Sequence, residues 1–332
     1  MTMRAVQAQV AGAPFVLTEL PVPEPKPNQV RIKVHACGVC AGEAIPRNAL
    51  FGTRLPRVPG HEVTGVVDAV GEAVTVWRPG DRVGVGWSGG VDFTCEYCRR
   101  GDFTNCEMRT ITGSSFDGGY AEYTVAPQDA VAALPDELDF AEAAPLMCAG
   151  MTAFNGLRHS TAGPGDLVAV SGVGGVGHLA VAFANAMGFR TVAINRGTAK
   201  EEMARQLGAH DYIDSTAHDA GEALRAMGGA QVIYDTTSRG DVQTGLIKGL
   251  KHSGQLIVVE GADPIGGTGH DLSWWRLHID GWYSGVARDS EDALNFAVLK
   301  NVRPIIETHK LEDAEQAYSN IGKAHMRSVL LP

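Results

Sequence analysis

Several features are scarce or missing in this sequence, and each absence excludes something. Basic residues do not dominate: 28 lysines and arginines stand against 38 acidic residues, a net charge of −10. A nucleic-acid partner, which needs a basic face, is therefore not expected. No uninterrupted apolar run is long enough for a membrane span. The longest apolar stretch, residues 167–189, holds five glycines together with His178 and Asn185, so it fits a strand, a turn and a helix better. The opening Met1-Thr2-Met3-Arg4-Ala5-Val6 lacks the apolar core of a signal peptide. Cysteines are few, six in 332 residues, and in a chain of this size they point to metal binding or catalysis before disulfides. Cytoplasm is the expected location. Internal repeats and low-complexity segments are missing too. What remains is 44% hydrophobic and 20% charged, a normal soluble composition, with length enough for two domains.

The first half of the chain reads as β. After a proline-rich entry at residues 21–27, residues 29–35 alternate like a half-buried strand. Short strands follow at 63–70, 82–85 and 120–125, separated by Gly71, by Pro79-Gly80-Asp81 and by Gly118-Gly119. Such a series suggests a compact β-barrel-like domain. Beyond about residue 135 the pattern changes. Helices at 141–157, 176–187 and 200–207 alternate with strands at 167–171, 191–194, 232–235 and 255–259, which implies βαβ units and a parallel sheet. A helix at 290–300 and a strand at 328–331 close the chain.

Gly172-Val173-Gly174-Gly175-Val176-Gly177 matches G-x-G-x-x-G, between a buried strand and a helix. Gly172 permits the tight turn, Gly174 lets the backbone approach a pyrophosphate, and Gly177 lets helix and strand pack closely. The plainer alternative is a tight turn with no ligand. The end of the next strand holds Asn195 and Arg196, with Lys200 one turn on, where NAD-binding folds usually carry an acidic residue for the ribose hydroxyls. Without that carboxylate nothing repels a 2′-phosphate, and Arg196 can pair with one. NADP(H) is expected in preference to NAD(H), which stays possible; otherwise Arg196 and Lys200 are solvated surface charges.

Cys40, followed some twenty residues later by Gly60-His61-Glu62, suggests part of a metal site, and zinc normally takes at least three protein ligands. Residue types alone do not choose the third from the remaining cysteines. A wider set of residues does. Gly38-Val39-Cys40, Gly60-His61-Glu62 with Gly65 and Val67, Gly80-Asp81-Arg82-Val83, the cysteines from Cys95 to Cys106, Cys148 and Gly172 to Gly177 occur in the order found in the zinc-dependent alcohol dehydrogenases of the medium-chain dehydrogenase/reductase family, which the chain resembles over most of its length. The resemblance implies a GroES-like β-barrel catalytic domain (1–145 with a return at 289–332), a Rossmann domain with a doubly wound parallel sheet (146–288) and an active site between them. It implies a catalytic zinc on Cys40, His61 and Cys148, with Glu62 behind the metal, Thr152 beside the nicotinamide and Arg327 at the cofactor phosphates.

The same resemblance points to a structural zinc on Cys95, Cys98 and Cys106. The family's first cysteine is replaced here by Asp92, whose carboxylate zinc accepts; the competing reading is a lobe held by packing alone. Two zinc ions per chain are expected. Where relatives carry a Ser or Thr that relays the alcohol proton, this chain has Gly42, followed by Glu43 in place of an aspartate that orients the zinc histidine. Water or Glu43 is expected to carry the proton. Trp87 falls where a residue usually faces the substrate; Phe51, Phe93 and Trp275 are further candidates, each equally suited to a core or an interface. An aromatic pocket without a positive charge suggests a neutral alcohol or aldehyde. The expected function is a zinc-dependent alcohol dehydrogenase or aldehyde reductase, acting as a homodimer or homotetramer. The alternatives are a relative that reduces an imine or an enone and, more remotely, a non-catalytic nucleotide-binding or structural protein.

Overall fold

A computed structural model describes residues 1–261, 263–267, 269–322 and 327–332. In its first half the strands are β1 (Thr2–Gln7), β2 (Val16–Pro21), β3 (Gln29–Gly38), β4 (Val63–Val70), β5 (Arg82–Val85), β6 (Tyr123–Pro127) and β7 (Val131–Ala133). The second half contributes β8 (Leu167–Ser171), β9 (Arg190–Asn195), β10 (Asp211–Asp214), β11 (Ala230–Asp235), β12 (Leu250–Val258) and β13 (His278–Gly281), followed by β14 (Ile306–Lys310) and β15 (Arg327–Leu331). The chain divides into two compact units, Met1–Met151 with Ser284–Pro332, and Thr152–Tyr283.

The first unit is organised on β3. Its side chains alternate, with Val30, Ile32 and Val34 buried and Arg31, Lys33 and His35 turned away from the core, as a sheet with one solvated face requires. β3 pairs antiparallel with β4, β6 and β15, and the sheet continues through β5 to β7 on one side and to β14 on the other. Two register shifts, at Arg31/Ile32 and Val34/Ala36, break the ladder; such bulges bend a strand and increase its twist. The core joins Val30, Ile32, Val63, Val67, Val83, Val85, Tyr120 and Leu330, each large apolar side chain contributing about 1.5–3 kcal/mol on burial. Pairing of Val329 with Gly38 and of Leu330 with Cys37 ties the end of the chain to the stretch just before Cys40. This is the GroES-like part.

The second unit carries a six-stranded parallel sheet in the order β10-β9-β8-β11-β12-β13. β8 and β11 are buried at every residue, as central strands covered on both faces must be. The strand order reverses between β8 and β11, and the C-terminal end of a strand at such a reversal is where Rossmann sheets take their ligands. β8 ends there in Gly172, and the helix Gly177–Ala186 follows. β10 and the helices Ala220–Ala226 and Gly240–Ile247, with weaker sequence patterns than their neighbours, complete the layers. Among the described residues no helix is long and apolar enough to cross a membrane.

The glycines of the turn differ in what they make room for. A Cβ on Gly177 would stand 1.7 Å from the Gly172 carbonyl oxygen, whereas one on Gly174 would meet nothing within 4 Å. Gly177→Ala is therefore expected to lower stability by about 3 kcal/mol in urea unfolding, and Gly174→Ala to leave the midpoint unchanged while weakening cofactor binding measured by titration.

Candidate metal centre and cofactor loop

Four side chains of the first unit converge: Cys40, His61, Glu62 and Cys148 bring one potential ligand atom each to within 4.8 Å of one another. Cys40 caps a short 3₁₀ turn at the end of β3, and its sulfur accepts the Gly42 N–H at 3.5 Å. His61 and Glu62 precede β4, after Gly60, whose φ of +104° suits glycine alone. Cys148 lies in a π turn, Leu146–Gly150, between the helices Phe140–Pro145 and Met151–Arg158. The single helix expected over 141–157 is thus interrupted at the ligand, as π turns often are at functional positions.

A buried carboxylate holds the imidazole from behind. His61 Nδ1 lies 2.7 Å from Glu43 Oε1, while Glu43 Oε2 accepts the Gly60 N–H at 3.0 Å. Glu43 is buried, and this placement makes it an orienting group for His61, on the opposite edge of the ring from Nε2. His61 Nε2 is buried and has no hydrogen-bond partner, the orphaned donor atom that a metal would satisfy. Glu62 Oε1 accepts from Arg327, and Glu62 Oε2 is likewise buried without a partner. The carboxylate fits because Gly38 has no side chain; a Cβ there would fall 1.9 Å from Glu62 Oε2. Cys40 and Cys148 are half-buried residues, whereas His61 and Glu62 are buried.

The protonation pattern follows from these contacts. Cys148 donates towards Cys40, which lowers the Cys40 pKa well below that of an ordinary thiol and raises its own. Burial alone would lower the pKa of His61, but Glu43 and Cys40 together raise it well above the usual value. Burial lifts the Glu62 carboxyl to about 7 against the pull of Arg327. Two thiols, one imidazole and one carboxylate in this arrangement are a zinc donor set, and binding would displace the protons from His61 and Cys148.

A second group, Asp92, Cys95, Cys98 and Cys106, also has its ligand atoms within 4.8 Å. Asp92 Oδ1 accepts the Thr94 and Cys95 amides at 2.8 and 3.0 Å, which hold its carboxyl down to about 2. The Cys98 and Asp92 amides point at the Cys95 and Cys106 sulfurs, at 3.5 Å each. In residues 92–109, Cys98 and Cys106 are the only buried residues.

In the second unit the cofactor-binding candidates gather at the glycine turn. Asn195 Oδ1 accepts the Val173 N–H at 3.3 Å, and Lys200 Nζ donates to the Val173 carbonyl at 2.6 Å. Lys200 is thereby drawn against the loop, and burial lowers its pKa. Arg196 is exposed beside it. Sequence reasoning missed two neighbours: Asp214 Oδ1 accepts the Gly197 N–H at 2.7 Å and the Tyr212 hydroxyl donates to the Gly197 carbonyl at 2.6 Å, pinning the loop after β9. The Thr152 carbonyl accepts from the buried Tyr234 hydroxyl at 2.9 Å. Arg327 lies in the first unit, buried against Glu62.

Of the aromatic candidates, Trp87 packs against His61, ring centroids 4.8 Å apart and planes at 88°. Phe51 stands 84% exposed on a left-handed backbone turn, outside the metal group. Phe93 is exposed against Phe103, and Trp275 packs tilted against His252 under Arg225.

Comparison with known proteins shows the family. Residues 26–136 match the alcohol dehydrogenase GroES-like domain, and residues 175–296 the zinc-binding dehydrogenase domain. The alcohol dehydrogenase notN of Aspergillus sp. (strain MF297-2) is 42% identical over 321 residues, 96% of this chain and 95% of that protein. The alcohol dehydrogenase patD of Penicillium expansum is 42% identical over 326 residues, covering 96% and 94%. Among solved structures, a cinnamyl alcohol dehydrogenase from Sorghum bicolor superposes with a TM-score of 0.88 at 31% identity, covering 99% of this chain and 97% of that one.

The Glu62–Arg327 pair gives a pH-dependent expectation for the metal-stripped protein. Glu62 holds its proton more tightly folded than unfolded, so its contribution to stability falls as pH rises from the ordinary carboxylate range through about 7. Arg327→Met removes the cation that offsets this loss. Its cost in urea unfolding is expected to be larger at pH 8 than at pH 5.5 by about 1–2 kcal/mol, because without the guanidinium Glu62 keeps its proton at pH 8 while in the unaltered protein it is ionised.

Proposed function

This chain belongs to the zinc-containing alcohol dehydrogenases of the medium-chain dehydrogenase/reductase family, and we propose that it interconverts a neutral, aromatic or medium-chain alcohol and its carbonyl compound with NADP(H) in preference to NAD(H). The observation that carries the metal part is the buried, unpartnered His61 Nε2 beside the Cys40 and Cys148 sulfurs. When bound there, zinc supplies Lewis acidity to the substrate oxygen. Cys40, His61 and Cys148 hold the ion, and Glu43 fixes the tautomer and angle of His61, as carboxylates behind metal histidines do. Glu62 closes the donor set from the buried side, its charge balanced by Arg327.

A bound nicotinamide would supply the hydride acceptor for the carbinol carbon in the oxidation direction, and the hydroxyl proton would leave to water. Water is the acceptor favoured by the geometry, because one Glu43 oxygen is held by the Gly60 amide and the other faces His61 Nδ1. The glycine turn receives the pyrophosphate at the N-terminus of helix Gly177–Ala186. Arg196 and Lys200 take the 2′-phosphate, a reading supported by the amide of Asn195 where a carboxylate would repel it. Trp87 supports an aromatic-lined substrate side, in keeping with the sorghum relative's name. Asp92, Cys95, Cys98 and Cys106 hold a second, structural zinc.

Two experiments test this. Arg196→Ala and Lys200→Ala are each expected to lower kcat/KM for NADPH by about 10–100-fold, the worth of one charge-assisted hydrogen bond, and to leave NADH nearly unchanged; equal losses for both cofactors would overturn the assignment. Elemental analysis should find two zinc ions per chain and one after Asp92→Ala, and a single ion in the unaltered protein would remove the structural site.

A further inference from the structure

Gly42 stands where no side chain fits. A Cβ there would lie 2.9 Å from His61 Cε1, 2.9 Å from Trp87 Cζ3 and 3.5 Å from His61 Nε2. Its backbone has no positive φ, so the demand is for space and not for conformation. The same residue donates its N–H to Cys40 Sγ at 3.5 Å. Gly42 therefore touches two of the three candidate ligands, one through its amide and one through its missing side chain. The indole of Trp87 fills the space that a side chain at 42 would need, packed edge to face on His61 at 4.8 Å.

The imidazole is then confined on three sides. Glu43 holds Nδ1 at 2.7 Å, the Gly42 backbone faces Cε1, and the indole packs against the ring. Remove the indole and one wall is gone; add a methyl at 42 and either the imidazole or the indole must move. We propose that Gly42 and Trp87 are a matched pair that positions His61, the indole standing in place of a residue-42 side chain and holding Nε2 towards the sulfurs. Trp87 is on this account a positioning residue of the metal centre as well as a wall of the substrate side. No hydroxyl can be introduced at 42 while the indole keeps its place, which accounts for a proton path through water. The inference rests on the proposed zinc site at Cys40, His61 and Cys148.

The test compares Gly42→Ala, Trp87→Leu and the double variant. Zinc affinity is read by chelator competition, and the ligand geometry by the absorption bands of the cobalt(II)-substituted protein. Zinc retained by the Asp92 group serves as the control for an intact fold. Gly42→Ala should weaken zinc at the Cys40 group by about 10–100-fold and shift the cobalt bands; the double variant should bind more tightly than Gly42→Ala and move the bands back. Gly42→Ala with unaltered affinity and spectrum, or a double variant no better than the single one, would overturn the pairing. If the unaltered protein holds no zinc at this group, the metal reading itself fails. The pairing is then decided on metal-stripped protein by the melting temperature, which Gly42→Ala should lower by about 3–5 °C and Trp87→Leu should restore; no drop, or no restoration, rejects it.

Discussion

A small buried region of uncompensated charge governs this structure. Glu43 and Glu62 are buried carboxylates, the Cys40 sulfur leans towards the thiolate, and the positive charge among them comes from Arg327, paired with Glu62, and from His61 while it keeps its proton. Isolated buried charges cost several kcal/mol each. The metal-free group meets that cost by holding protons on His61 and Cys148 and by the guanidinium. A divalent ion would replace both protons and bring in the positive charge that the two thiolates and two carboxylates otherwise lack. Metal binding and folding are therefore linked at this site in one free-energy account, and the surrounding architecture is arranged to keep these groups together.

That arrangement is made by backbone approach more than by side chains. β3 lies at the centre of its sheet and ends at Gly38, two residues before Cys40, so the ligand stretch starts from a heavily paired strand. Gly38 leaves room for the Glu62 carboxylate, Gly60 turns the chain into His61 and offers its amide to Glu43, and Gly42 lets the 3₁₀ turn close on the imidazole. β15 then crosses to β3 and delivers Arg327 to Glu62. Residues from four distant parts of the chain meet because three glycines let main chain come where a Cβ would collide.

The sequence was informative wherever one residue type has few physical uses. Cys40 with His61, and Gly172 to Gly177 between a buried strand and a helix, declare their chemistry without a structure. Cys148 does not, because nothing local distinguishes a cysteine in a π turn from a buried thiol; only family resemblance picked it out. Gly42 was legible as a missing hydroxyl but not as a filled space, since the filler, Trp87, lies 45 positions on. Arg327 shows the same limit. Its charge was visible and its cofactor role was inferred, yet its partner Glu62 is 265 residues away in sequence and appears only once β15 is laid beside β3. β10 and the helices Ala220–Ala226 and Gly240–Ile247 escaped because their short, mixed patterns carry little periodicity of their own.

The two metal groups differ in what the fold needs from them. The Cys40 group lies on a strand system with a large apolar core, and a metal there would supply charge more than order. The segment from 92 to 109 has the opposite problem. It holds one short helix, Glu96–Arg99, and one 3₁₀ turn, Phe103–Asn105, with Phe93 and Met108 exposed and only Cys98 and Cys106 buried. Packing contributes little to such a segment, since almost no apolar area leaves the water. An ion there, as proposed, would add cross-links through three sulfurs and a carboxylate already anchored by two amides. Asp92 Oδ1 is tied to the backbone, and the exchange of a thiolate for a carboxylate leaves the anionic charge of the donor set unchanged.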